Sequence, residues 1–170
     1  MDAVRGMRVL DLYAGSGALA LEAVSRGAAS AVLVEQSAQA AAVCRANASA
    51  LLKASAHGDT DARPRIGVRQ ATVRAFLREP RPDAPAAAFD LAFLDPPYDV
   101  TEDELHAVLD ALLPVLDPDA VVVVERSARS PEPTWPTGLD PLRSRSYGET
   151  AVWFAQPARP PQPAAPSQPE

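Results

Sequence analysis

The sequence predicts an α/β protein: a mostly parallel, seven-stranded sheet with helices on both faces and a C-terminal antiparallel hairpin. Strand-like and helix-like stretches alternate along the chain, two polar motifs each follow a strand, and the last two strands flank a glycine turn. Arg8–Tyr13 (RVLDLY) is a short apolar run ended by the small residues AGSGA. Ala18–Arg26 reads as a helix stopped by Gly27, a residue suited to the left-handed C-terminal position. Ser30–Glu35 (SAVLVE) is a second strand, and Ser37 can cap an alanine-rich helix running to about Lys53. A loop over Ala56–Pro64 leads to a weaker strand, Arg65–Gln70, and a short helix from Thr72 to Arg78. Phe89–Leu94 (FDLAFL) follows a proline-rich loop and runs into Asp95-Pro96-Pro97-Tyr98. Thr101 with Glu104 forms a capping box for a helix to about Leu113. Ala120–Glu125 (AVVVVE) is the plainest strand, because successive β-branched residues disfavour a helix. Leu142–Tyr147 and Ala151–Ala155 flank Gly148-Glu149-Thr150 as an antiparallel pair.

The 170 residues are enough for one domain with a real core, expected over 1–155. The remainder, 156–170, holds six prolines and is predicted to be a disordered tail. Hydrophobic residues make up 47% and charged residues 22% of the chain, which excludes a collagen, a coiled coil and a wholly disordered protein. No apolar run is long enough to cross a bilayer, and the opening MDAVRGMRVLDL lacks the pattern of a signal peptide. A single cysteine, Cys44, excludes an internal disulfide. His57 and His106 are too far apart to suggest a zinc site, so no metal is expected. The expectation is a soluble, cytoplasmic, monomeric enzyme or binding domain.

The net charge of −6 argues mildly against nucleic acid, but it conceals a patch. Six arginines (63, 65, 69, 74, 78 and 81) stand against one acid, Glu79, and the sign reverses from Asp95 to Asp119. A solvated face explains this cluster somewhat better than a binding patch for RNA does. Part of it also lies on a strand expected to be buried.

The first polar motif is Asp11-Leu12-Tyr13-Ala14-Gly15-Ser16-Gly17. Gly15 and Gly17 remove side chains where a ligand must approach the backbone, and the following helix start offers free N–H donors. Glu35 ends the next strand, where a carboxylate can accept from both hydroxyls of a ribose. The same stretch also fits the loose dinucleotide fingerprint, so a nicotinamide-dependent oxidoreductase competes at this point. Asp11 favours the other choice. An acid there can meet an ammonium group, as on the amino-acid moiety of S-adenosylmethionine, and would repel a pyrophosphate.

The second motif, Asp95-Pro96-Pro97-Tyr98, positions an amine. Two prolines fix their φ angles and leave carbonyls without competing N–H groups. Asp95 and the Pro96 carbonyl can then accept both hydrogens of one NH₂ group. The lone pair of an exocyclic base amine is delocalised and poorly nucleophilic, so positioning and electrostatics must supply the catalysis. Tyr98 offers a face on which an extruded base can stack, with Pro97 beside it. A hydride-transfer enzyme gives no reason for this tetrapeptide.

DLYAGSGALALEAVSRGA, VLVEQS, FDLAFLDPPYD and SYGETAVWF together resemble the RsmD family of 16S rRNA (guanine(966)-N(2))-methyltransferases. The resemblance covers most of residues 6–155. It implies a Rossmann-like class I methyltransferase acting with S-adenosylmethionine on 16S ribosomal RNA of the small subunit. It implies cofactor contacts at Asp11, Tyr13, Ala14, Gly15, Ser16, Gly17, Glu35, Gln36, Ala71 and Thr72. Asp95, Pro96 and Tyr98 would be catalytic, and Pro97 and Tyr98 would bind the base. Two departures stand out. Family members carry a basic segment before the first strand, and this chain starts only a few residues ahead of it. The loop after the third strand reads Gln70-Ala71-Thr72 where an acid usually meets the adenine amine, so Thr72 or a backbone group must substitute. These departures leave open a SAM- or RNA-binding remnant, and the proline-proline turn leaves open adenine-N6 or glutamine methylation.

Among the remaining residues, Cys44 reads as a small core residue, and Trp135 and Trp153 as packing residues. Neither histidine has a partner that suggests base chemistry, and Tyr147 and Glu149 lie in a turn that could border a site.

Overall fold

The computed structural model describes residues 3–54, 63–80 and 88–159. In chain order the elements are β1 (Arg8–Leu12), α1 (Ala18–Ser25), β2 (Ser30–Glu35), α2 (Ala38–Ala54), β3 (Arg65–Gln70), α3 (Val73–Arg78), β4 (Phe89–Leu94), α4 (Glu102–Leu112), β5 (Leu116–Ser127), β6 (Leu139–Tyr147) and β7 (Thr150–Pro157). One sheet holds all seven strands in the order β3-β2-β1-β4-β5-β7-β6. The first five strands in that order pair in parallel, and β7 pairs antiparallel with both β5 and β6. The expected architecture is the one observed.

Side-chain alternation sorts the core into two layers. Leu10, Leu12, Ala92, Leu94, Val122 and Val124 pack with α3 and α4, on which Phe76, Leu77, Leu105 and Leu109 are buried. Val9, Ala31, Leu33 and Leu91 pack on the opposite face with Ala20, Ala23 and Val24 of α1 and Cys44 of α2. The capping box of α4 is formed: Glu104 N–H donates to Thr101 Oγ1 at 3.2 Å, and Thr101 N–H donates to Glu104 Oε2 at 3.0 Å. Ser37 Oγ accepts from Ala40 N–H at 3.3 Å at the start of α2. Trp135 and Trp153 pack against the larger core layer, as expected.

Four differences from the sequence reading have physical causes. β3 is not a buried strand. It is an edge strand paired only with β2, so Arg65 and Arg69 lie exposed, with Arg63, Arg74 and Arg78 also exposed and Arg69 paired to Glu79 at 2.7 Å. β5 begins at Leu116 rather than Ala120, because Leu116 pairs with Phe89 across a register shift. β6 begins at Leu139, whose partner is Pro157. β7 accordingly runs past Ala155 to Pro157, and Ala158 N–H donates to the Gly138 carbonyl at 2.9 Å, so the expected domain end at 155 falls inside a strand. Arg81, His57 and residues 160–170 lie outside the described residues. No helix among the described residues is long and apolar enough to cross a membrane.

The strand order reverses between β1 and β4, which are neighbours in the sheet although two strands separate them in the chain. Loops beyond the carboxyl ends of such neighbours diverge and leave a crevice. Register places both motifs there, since Leu12 pairs with Leu94 and with Val34.

Candidate functional site

Tyr13 leaves β1 with φ 65°, a left-handed conformation rare for a bulky residue. Gly15 and Gly17 follow with φ 55° and 82°. The two glycines serve different purposes. A Cβ on Gly15 would meet nothing within 4 Å, so the space above it is open. A Cβ on Gly17 would sit 2.6 Å from Leu33 Cδ2 and 2.9 Å from Cys44 Sγ, so this glycine lets the loop close onto the core. Asn47 of α2 donates to the Ser16 carbonyl at 3.0 Å and holds the loop from its far side.

Glu35 organises the cofactor candidates. Its Oε2 accepts from Gly15 N–H at 2.9 Å and its Oε1 from Ser37 N–H at 2.7 Å. Its main-chain carbonyl accepts from Ala71 N–H at 3.1 Å. One residue thus ties the loops after β1, β2 and β3 together. Thr72 Oγ1 accepts from Ala75 N–H at 3.2 Å and caps α3. A hydroxyl so used still has its own hydrogen to donate.

Asp11 is placed differently from the expectation of a ligand-facing acid. It is 2% exposed, and its Oδ2 accepts from Ala20 N–H at 3.1 Å, so it lies beneath the loop and against α1. Alternation explains this: Leu10 and Leu12 face the α3–α4 layer, which turns Asp11 toward α1. Burial pushes its carboxyl up to about 7, with Asp95 and Glu35 adding repulsion and the Ala20 bond opposing the rise. Cys44 is fully buried beside it, and burial pushes its thiol up to about 11, away from nucleophilic use.

The crevice is an open cleft of about 410 Å³. Tyr13, Glu35 and Gln36 line one side, and Asp95, Pro96, Pro97 and Tyr98 line another. Ala14–Gly17, Ala71 and Thr72 are not in its wall; of these, Gly15 and Ala71 are tied to it through their bonds to Glu35. Tyr98 is 94% exposed, with its ring free of core packing. Burial by the cleft walls raises the Asp95 carboxyl above its ordinary range.

Residues 1–156 match the family model described as Conserved hypothetical protein 95. The chain belongs to this family, the RsmD family. It is 32% identical over 149 residues to "Putative rRNA methyltransferase YlbH" of Bacillus subtilis (strain 168), covering 86% of this chain and 74% of that protein. A structure from Streptococcus pyogenes, described as a conserved hypothetical protein, superposes with a TM-score of 0.72 at 33% identity, covering 91% of this chain and 88% of that one. The structure "Putative methyltransferase yhhF" from Escherichia coli gives a TM-score of 0.71 at 26% identity, covering 91% and 78%. The fold is that of class I methyltransferases.

The RsmD-family cleft also contains residues that the sequence reading did not select. Glu125, Arg126 and Ser127 from the end of β5 and Thr150 from the start of β7 complete its wall. A signal for Glu125 was available, because it ends the apolar run AVVVVE as Glu35 ends SAVLVE, yet only the register shows that it stands beside Asp95. Arg126 Nη1 lies 2.9 Å from Glu102 Oε1, with side chains 11% and 30% exposed, and Nη2 reaches the Val100 carbonyl at 3.5 Å. This pair fastens the loop from Asp95 to Thr101 onto β5 and the start of α4. The neighbouring turn differs: Glu149 is spent on an exposed pair with Arg129, and Tyr147 is 60% exposed. His106 Nδ1 lies 2.8 Å from the Thr134 carbonyl, which accounts for its ring.

Proposed function

We propose that this RsmD-family protein methylates the exocyclic N2 amine of a guanine in 16S ribosomal RNA, using S-adenosylmethionine. The observation that carries the reading is the meeting, in one cleft, of the Glu35 hub and the Asp95-Pro96-Pro97-Tyr98 turn, which follow β2 and β4 on either side of β1. The likeness to "Putative rRNA methyltransferase YlbH" supports ribosomal RNA as the substrate class.

The residues present fit the cofactor. Space above Gly15 is open, and each Glu35 oxygen, having accepted one backbone bond, retains a lone pair for a ribose hydroxyl. Tyr13, Ala14, Ser16 and Gly17 shape the loop, Gln36 flanks the ribose, and Ala71 with the Thr72 hydroxyl serves the adenine ring. Asp11, whose carboxyl burial raises to about 7, ionises as the ammonium group arrives and attracts it from below the loop rather than by direct contact. When bound, S-adenosylmethionine supplies an electrophilic methyl on a sulfonium.

Asp95 and the Pro96 carbonyl then take the two N–H bonds of the base amine. That orientation aims the nitrogen lone pair along the line of attack, which is worth more in a dehydrated cleft than in water. Tyr98 stacks the extruded base against the Pro97 side of the turn. The reading takes the protein to act as a monomer, and the substrate sets the place of action as the cytoplasm. The domain that performs the reaction extends to Pro157.

The test is mass spectrometry of ribosomal RNA after incubating the protein and S-adenosylmethionine with small subunits lacking the modification. The expected product is a single N2-methylguanosine. N6-methyladenosine, or no methylated nucleoside, would contradict the reading.

A further inference from the structure

We infer that Glu125 is a specificity-determining residue that accepts the N1–H of the guanine whose N2 amine is held by Asp95. The inference rests on the amine-methylation reading above and deepens it.

Four observations lead to it. Leu94, the last residue of β4, pairs with Val124 of β5, so Asp95 leaves the strand beside Glu125, where the two parallel strands run about 4.8 Å apart. Both line the cleft. Among the described residues neither carboxylate accepts a hydrogen bond or joins an ion pair, although Arg126 is adjacent in sequence, because that arginine is committed to Glu102 and Val100. The contrast with the cofactor side is sharp, since Glu35 has both oxygens bonded and Asp11 has one. Two unbonded acids side by side repel one another, and the Glu125 carboxyl is raised first by burial and then by Asp95. Such a pair is relieved by a ligand that brings donors to both.

The Watson–Crick edge of guanine brings them. Its N2 amine and N1–H are neighbouring donors on one rigid edge. Adenine and cytosine pair their exocyclic amine with a ring nitrogen that accepts, and that lone pair would face the Glu125 carboxylate. A site built to bond a substrate N–H rejects an analogue lacking it, because its own polar group is left unpaired. Asp95 alone would hold any exocyclic amine. Glu125 beside it selects guanine.

The experiment uses 2-aminopurine, which keeps the N2 amine but carries an accepting N1. The nucleotide methylated by wild-type protein is first mapped. Small subunits are then reconstituted around RNA bearing guanine or 2-aminopurine at that position, and tritiated-methyl transfer is measured with wild type and with Glu125→Gln. Wild type should prefer guanine by at least about tenfold. Glu125→Gln, whose amide can turn an N–H toward N1, should shrink that preference at least about tenfold. Comparing the two proteins on both bases cancels the effect of the missing O6. Calorimetry with S-adenosylmethionine verifies that each variant is folded. Glu125→Asp, which keeps the charge on a shorter arm, should be slower while keeping the preference. An equal preference in wild type and Glu125→Gln overturns the role of Glu125 and leaves amine methylation standing. Wild type that uses 2-aminopurine as well as guanine overturns it without any variant. Wild type that forms no N2-methylguanosine overturns the underlying reading instead.

Discussion

The two sides of the cleft are built on different principles. On the cofactor side the polar groups are already satisfied within the chain: Glu35 holds Gly15 and Ser37, Asp11 holds Ala20, and Gly17 seats against Leu33 and Cys44. On the base side Asp95 and Glu125 accept nothing among the described residues, and Tyr98 is exposed. The first side is a finished scaffold that a small ligand can enter. The second leaves its acceptors unbonded, as the proposed reading needs for a substrate that brings donors, and the Arg126 contacts with Glu102 and Val100 and the Val100–Pro97 turn bond hold its loop in shape. Binding and reactivity should therefore be separable by mutation.

The largest expected effect is on the base side. Asp95→Ala removes the polar group aimed at the reacting amine, and methyl transfer should fall at least about 100-fold. Asp95→Asn should be milder, since its amide oxygen still accepts one bond. Steady-state transfer to small subunits measures both. On the scaffold side, Glu35→Ala removes a charged acceptor and should weaken S-adenosylmethionine binding by about 1.5–3 kcal/mol, read by calorimetry. Affinity unchanged in that variant would place the ribose elsewhere. Tyr98→Ala should cost about 1–3 kcal/mol of base stacking and appear mainly in KM.

Smaller effects sharpen the contrast. Arg126→Met leaves Glu102 unpaired in a partly buried setting and should cost ~1–2 kcal/mol of stability, less than the ~3–5 of a fully buried pair. Urea unfolding would show the stability loss, and a raised KM with intact cofactor affinity would show that the loop has loosened. Asp11 makes a prediction about pH. Folded Asp11 keeps its proton up to about pH 7, whereas an unfolded one releases it near 3.8. The folded state therefore binds more protons across that window, and stability falls as pH rises through it. Asp11→Asn keeps an oxygen for Ala20 N–H and should remove that component of the pH dependence. A wild type whose stability is flat from pH 5 to 8 would show that Asp11 is ionised when folded.

Much of this was legible in local signals. The capping box at Thr101, the Ser37 cap and the β-branched run through Val124 each settle their element within a few residues. The edges of the sheet were not legible. Leu116 and Leu139 join strands only because Phe89 and Pro157 lie opposite them, and Pro118 and Pro141 argue locally against a strand. The site shows the same division. Gly15, Glu35 and the Asp95 turn are visible as motifs, while Glu125 and the Arg126–Glu102 clamp depend on register between distant strands. Asp11 was visible as an acid, but only the alternation of β1 reveals that it points beneath the loop.

The claim that the cleft divides into a cofactor scaffold and a base-reading side is tested most directly by measuring two quantities on one variant. Asp95→Ala should bind S-adenosylmethionine within about threefold of wild type while transferring methyl groups at least about 100-fold more slowly. Loss of cofactor affinity in step with loss of transfer would contradict the division and assign Asp95 to the cofactor.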